Sequence, residues 1–274
     1  MPRDAVEEAL VLGELAFDGV MHPVSGVLPA AIAVMAAGHD LICPHDCGSE
    51  AAWAKGLSII APPSLTGLVN HIHGRQVLHP SMPKMAPARQ NMPDLADPKD
   101  QDMARRVLEI AAAGDHHLLM VGPPGASKSM LVSRPASLLL LLSLAEVPEV
   151  TMLHSVAGNL TEGGLIQNQP FREPHHFASM AALIGGGLCA KASEISLANH
   201  GVLFLDKLAE FSRFVLDSLR QLLETGLGVV ARANHHITYL ARFQLFATMN
   251  PCRCGCLGDP ERACSRAPAC DQSY

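Results

Sequence analysis

The stretch GPPGASKS, Gly122 to Ser129, has residue types and spacing that can do chemistry. Gly122, four residues, one further small residue, then Lys128 and Ser129 follow the spacing of a phosphate-binding loop. In such a loop, backbone N–H groups at the turn and at the start of the next helix hold phosphate oxygens. Lys128 reaches the outer phosphates and the Ser129 hydroxyl ligates Mg²⁺. Pro123, Pro124, Gly125 and Ala126 form the body of the cradle. Ser127 stands where the pattern has its second glycine, so a side chain sits beside the phosphates and binding is expected to weaken. The plain alternative is a Gly/Pro turn with a surface lysine.

A second stretch, GVLFLDKLAEF at 201–211, runs four apolar residues straight into Asp206. A carboxylate delivered at the end of a buried strand is placed to organise Mg²⁺. Lys207 follows it, where nucleotide hydrolases put a second carboxylate that polarises water. An ammonium accepts no proton and adds like charge beside a divalent cation. A deprotonated lysine base would need burial or a nearby cation to lower its pKa. The third group is the tail CRCGCLGDPERACSRAPAC, with Cys252, Cys254, Cys256, Cys264 and Cys270. Four thiolates can make a tetrahedral Zn²⁺ site, although C-x-C steps are tighter than the usual spacer; the alternative is reduced cysteines in a loop.

These residues need strands and helices to position them. HHLLMVG (116–122) reads as a short buried strand entering the Gly/Pro loop, and KSMLVSR opens a helix. VLFLD and FQLFATMN (243–250) read as two more buried strands, and QDMARRVLEIAAAG (101–114) as a helix ending at Gly114. Strands that are continuous apolar runs and alternate with helices argue for a parallel sheet covered on both faces. VVAR and ITYL, at 229–232 and 237–240, flank ANHH and predict a β-hairpin. LLLLL in LLLLLSLA (138–145) reads as a buried helix face. Before this region, 1–75 alternates short apolar runs with Gly and Pro, including a helix in GVLPAAIAVMAAG ended by Gly38. Residues 76–98, rich in proline, read as a linker, and 99–274 as the main domain.

Composition fits this picture. The 274 residues are 49% hydrophobic and 17% charged, enough for a sizeable core, and aromatics are only 4%, which favours helices on a sheet over a β-sandwich. The net charge of −6 excludes a global basic field for nucleic acid, so any such contact needs a local patch or a pore built by several subunits. No run approaches the roughly 20 apolar residues of a membrane span. The charged start lacks an apolar signal core, so the chain reads as cytoplasmic, with no membrane partner. Cys43 and Cys47 read as free thiols and Cys189 as core filler. His175/His176 and His235/His236 are candidates for nucleic-acid contact, with an ordinary polar loop as the alternative.

Together these stretches resemble the YifB/ComM-type magnesium-chelatase-like AAA+ ATPases. The resemblance runs through GELAFDGVMHPVSGVLPAA, GPPGASKSMLVSR, PFREPHHFASMAALIGGG, SEISLANHGVLFLDK and ARFQLFATMNPCRCGCLGDP. It implies an α/β fold: an AAA+ P-loop core with a parallel sheet flanked by helices, preceded by part of a Lon-like, S5-like domain. It implies ATP and Mg²⁺ as cofactors, bound at Gly122–Ser129 and Asp206, with Asn250 as the sensor-1 residue that positions the attacking water. It also implies ring assembly with copies of the chain or with relatives, and ATP-driven remodelling of DNA, such as branch migration in competence, with the 229–240 hairpin and the His175/His176 segment at the pore. Ser127, Lys207 at the catalytic glutamate position, and Asp100 in place of a glycine depart from the family. The sequence ends before the positions of the family's further core strand, arginine finger and lid; that strand would lie beside the strand at 116–122, which is therefore expected to be an exposed edge. The expectation is a copy truncated at both ends that binds ATP weakly and hydrolyses it poorly. The alternatives are a non-enzymatic module that modulates intact relatives, a disrupted-gene fragment, or a metal-chelatase subunit.

Overall fold

The computed structural model describes residues 8–85, 101–125, 128–132, 134, 139–160, 164–185, 192–232, 235–257, 264 and 270, without the side chains of Ser129 and 229–240. Asp100, Ala126, Ser127 and Cys189 lie outside the described residues. In chain order the elements are β1 (Ala9–Val11), β2 (Glu14–Leu15), β3 (Met21–His22), α1 (Val27–Ala37), β4 (Asp40–Ile42), α2 (Gly48–Ala51), β5 (Ile59–Ile60) and α3 (Leu65–Ile72). Then come α4 (Asp102–Ala113), β6 (Leu118–Val121), α5 (Lys128–Val132), α6 (Glu146–Val156), β7 (Phe171–Arg172), α7 (Met180–Ile184) and α8 (Glu194–Leu197). The last are β8 (Val202–Leu205), α9 (Arg213–Thr225), β9 (Leu227–Arg232), β10 (His235–Leu240) and β11 (Gln244–Met249).

The chain divides into two compact units: Met1–Ala88 with Ser143–Gln167, and Arg89–Leu142 with Asn168–Tyr274. In the first, β1, β4 and β5 form a parallel sheet in that order. Helix α1 starts after Gly26 and stops at Gly38, both left-handed, and buries Val27, Ala31 and Val34 against Leu41, Cys43 and Cys47. Helix α6 joins this unit although it comes 70 residues after the linker begins. A buried carboxylate secures it: Glu50 Oε1 accepts from the Leu28 N–H at 2.8 Å and from the Ser155 hydroxyl at 2.5 Å. That attachment is not signalled by any local pattern in the sequence.

The second unit holds a parallel sheet ordered β6–β11–β8–β7. Alternation along β8 explains how it is covered on both faces. Leu203 and Leu205 join Ile195, Phe211, Val215, Leu219 and Leu222 on one side. Val202 and Phe204 join Leu108, Leu131, Val132 and Phe246 on the other. Successive strand side chains point to opposite faces, so a fully apolar strand must be buried twice. The α9 contribution is amphipathic: Val215, Leu219 and Leu222 lie on one stripe, Ser212 Oγ caps the start and left-handed Gly226 the end. Gly201 lets β8 start close to its neighbour, because a Cβ there would lie 2.0 Å from the Pro170 carbonyl.

Two readings of the sequence change. Strand β6 is an edge among the described residues, with Leu119 and Val121 50% and 56% exposed, so it is not the buried strand its apolar run suggests. The described part of the leucine run, Leu139–Leu142, is not helical, and only Leu142 of it is buried. A run with no polar residue has no period to read, so its apolarity alone did not specify a helix. The β9–β10 hairpin forms, antiparallel, with His235 opposite Arg232 and His236 opposite Ala231.

Candidate functional site

Three parallel strands of the second unit, β6, β11 and β8, end side by side, and each carries a chemical group at its C-terminal end. Strand β6 leads into Gly122–Gly125, where Gly125 takes a left-handed φ of 86°. The first residue of α5 is Lys128, whose ammonium donates to the carbonyls of Gly122 and Pro123, each at 2.7 Å. It also donates to Asn250 Oδ1 at 3.3 Å, just past the end of β11. Burial lowers the Lys128 pKa from its ordinary value, and the charge of Asp206 acts in the opposite direction. Lys128, Asn250 and Asp206 are therefore brought to one place. Ser129 begins the same helix, with its side chain outside the described atoms.

Asp206 ends the fully buried strand β8. The Thr248 hydroxyl donates to Asp206 Oδ1 at 2.6 Å and accepts the Lys207 backbone N–H at 3.2 Å. One β11 residue thus fixes both the carboxylate and the turn after it. Lys207 is exposed and left-handed, with φ 56° and ψ 57°. A non-glycine residue in that region costs about 1–3 kcal/mol and marks a position held by its surroundings. The backbone at 207 is specified; the side chain it presents is an ammonium.

Two residues of this site have no motif of their own. Thr248 is one; Glu173 is the other. Although Glu173 is exposed, the desolvation its carboxyl feels, and then the negative charge of Asp206, raise its pKa above the ordinary value. The preceding Arg172 makes a two-pronged pair with Glu194, Nε to Oε2 and Nη2 to Oε1 at 2.7 Å each. This ties β7 to α8 and holds Glu173 at the sheet's other end. A periodic reading cannot find it, because its neighbour Asp206 arrives through the β7–β8 pairing. Beyond β7, His175 and His176 stack at 4.3 Å, and His176 lies 4.3 Å from Phe177, which is 84% exposed.

A groove of about 450 Å³ runs between α4 and β6, lined by Gln101, Ala104, Val107, Leu118, Met120 and Lys128, among others. Its wall is mostly apolar, with Lys128 among the residues that line it.

After Asn250 the chain turns into the cysteine segment. The sulfurs of Cys252, Cys254, Cys264 and Cys270 all lie within 4.8 Å of one another. Cys256 is not in that group; its thiol donates to the Cys254 carbonyl at 3.6 Å, so the expected five-cysteine set reduces to four. Burial works against the Cys252 thiolate, but hydrogen bonds from Cys254, the Leu257 and Gly255 backbone and Cys270 bring its pKa down to about 6. Cys43 and Cys47 behave differently. Both lie in the first unit's core, and burial pushes Cys43 up to about 12 and raises Cys47. They are packing residues at neutral pH.

The family description "Magnesium chelatase, subunit ChlI" matches residues 94–274. An uncharacterised protein of Mycobacterium tuberculosis is 41% identical over 97% of this chain and 54% of its own length. The competence protein ComM of Haemophilus influenzae is 41% identical over 88% of this chain and 48% of its own. The uncharacterised protein YifB of Escherichia coli is 39% identical over 92% and 50%. The chain spans about half the length of the curated relatives it matches. It belongs to the ComM/YifB-type magnesium-chelatase-like family.

Proposed function

We propose that this chain is an ATP-binding module of its family whose hydrolytic step is crippled at Lys207. The observation that carries the reading is the convergence of Lys128, Asp206 and Asn250 at neighbouring strand ends. The donor set fits a Mg²⁺–nucleotide: an ammonium for phosphate, a carboxylate held by a hydroxyl for the metal, and an amide beside the ammonium. The groove between α4 and β6 adds an apolar wall suited to a base, leading to the ammonium suited to phosphates. Bound Mg²⁺ would draw charge off the phosphates. Lys128 anchors their outer oxygens, Thr248 orients Asp206, and Asn250 accepts from the Lys128 ammonium.

What position 207 does not supply is a base. Lys207 stands on a backbone fixed by Thr248, and its ammonium accepts no proton from water. Turnover is therefore slow although binding persists. The test is steady-state ATP hydrolysis. The wild-type chain should turn over negligibly, and Lys207→Glu should raise the rate by on the order of 10²-fold, the usual contribution of a positioned base. Brisk, Mg²⁺-dependent turnover by wild type that Lys128→Ala abolishes would contradict the reading.

The same reading takes DNA, as the resemblance implies, for the material on which a nucleotide-driven assembly would work; one relative is named a competence protein. The His175–His176–Phe177 stack, exposed at His175 and Phe177, offers aromatic faces of the kind single-stranded bases stack on. Ring assembly, with copies or with longer relatives, belongs to the same reading. A cytoplasmic setting is supported by the cysteines, unbridged among the described residues. No described helix is long and apolar enough to cross a membrane.

A further inference from the structure

We propose that Cys252, Cys254, Cys264 and Cys270 form a tetrathiolate Zn²⁺ site that braces the loop behind the phosphate cradle. The sulfur of Cys254 lies 3.2 Å from Cys252, 3.4 Å from Cys264 and 3.7 Å from Cys270. A zinc ion with Zn–S bonds of about 2.3 Å spans a tetrahedron whose edges are about 3.8 Å. The sulfurs therefore already stand near ligand spacing. A disulfide is a poor account of them: it joins one sulfur to one other at about 2.05 Å, whereas Cys254 faces three.

The tight C-x-C step is resolved by the backbone. The Gly255 N–H donates to the Cys252 carbonyl at 2.9 Å, and Gly255 takes a left-handed φ of 81°. This turn folds Cys254 back toward Cys252, which an extended chain would not do. Cys256 falls past the turn and outside the set. Cys252 and Cys270 are buried, Cys264 is half-buried and Cys254 is exposed, so the site has a closed interior and one open side for loading. All four ligands are soft, and four-sulfur tetrahedral geometry selects zinc or iron among common metals.

Position gives the site a job. A Cβ on Gly255 would lie 2.4 Å from Pro124 Cδ, so the turn rests directly on the phosphate loop. Asn250, two residues before Cys252, meets Lys128 at 3.3 Å. Locking the four thiolates fixes both contacts, as outer groups fix the residues that touch a ligand. This coupling rests on the nucleotide reading above; the metal site itself does not.

The experiment is elemental analysis of the full chain purified from zinc-supplemented culture, with Cys254→Ser and Cys256→Ser beside it. Wild type and Cys256→Ser should each carry about one zinc per chain, and Cys254→Ser should carry little. Cobalt loaded into the wild-type chain should give intense sulfur-to-cobalt absorption, a readout that needs no variant to fold. Wild type without zinc and without that absorption overturns the site, as does equal loss from Cys256→Ser and Cys254→Ser. Iron in place of zinc, seen as a coloured protein, overturns the choice of metal. For the coupling, binding of a fluorescent ATP analogue should weaken on the order of tenfold in Cys254→Ser. Lost zinc with unchanged affinity overturns the coupling. A wild type that holds zinc but binds no nucleotide contradicts the nucleotide reading and leaves the zinc site standing.

Discussion

Strands β8 and β6 belong to one parallel sheet, separated by β11, and both end at the candidate site. Every residue of β8 is buried; β6 alternates, with Leu119 and Val121 half in solvent. The buried strand delivers a single side chain, Asp206, into a place fixed by packing on both faces and by Thr248. The edge strand delivers a loop, whose shape is set by Lys128 holding the carbonyls of Gly122 and Pro123. Precision comes from the core on one side of the site and from local hydrogen bonds on the other. On the proposed reading, Lys207 at the end of β8 therefore sits on an intact frame and lowers reactivity without altering the fold.

Substitutions can break or sharpen this contrast. Phe204→Ala should have the largest effect, because the ring is wholly buried in a cluster with Phe246 of β11 and Leu108 of α4. A loss of about 3–5 kcal/mol in chemical denaturation is expected. Thr248→Val comes next. It removes the hydroxyl that serves Asp206 and Lys207, and should cost about 1–3 kcal/mol together with Mg²⁺-dependent nucleotide affinity. Leu119→Thr on β6 should change stability by no more than about 0.5 kcal/mol, since that side chain is half exposed. A loss as large as that of Phe204→Ala would erase the distinction between the strands.

Glu173→Gln is the smallest and depends on pH. Its folded-state pKa is raised, so the folded chain holds that proton more tightly than the unfolded chain. Below the ordinary value of 4.5 the group contributes nothing; as pH rises past it, ionisation costs stability. Glu173→Gln should therefore match wild type at pH 3 and melt slightly higher at pH 7. Solvent screening of an exposed carboxyl keeps the gain under about 0.5 kcal/mol. An equal gain at both pH values would mean that charge is not the cause.

The difference between the strands also explains what could be read from the sequence. Gly122, Lys128 and Asp206 lie at the ends of apolar runs, so local pattern was enough to single them out, whereas Asn250 came only from the family resemblance. Helix α4 carried its own period and a stop at Gly114, and α1 its stop at Gly38, whereas α9 was not read as a helix. Thr248 and Glu173 were silent, because each gains its role only from the strand laid beside it. The exposure of β6 followed from the family's strand order and not from its apolar run, which states what a strand is made of, not how many neighbours it has. Helix α6 joined the first unit through Glu50 and Ser155, a pairing across 105 positions that no window of sequence contains.

The central claim is that Lys128 and Asp206 hold a Mg²⁺–nucleotide even though Lys207 stops its hydrolysis. Its most direct test is equilibrium titration of the purified chain with a fluorescent ATP analogue in the presence of Mg²⁺, beside Lys128→Ala. The account predicts saturable binding by wild type that weakens about tenfold or more in the variant, the loss expected for one charge-assisted contact to phosphate. No saturable binding by wild type, or the same affinity in both proteins, would contradict it.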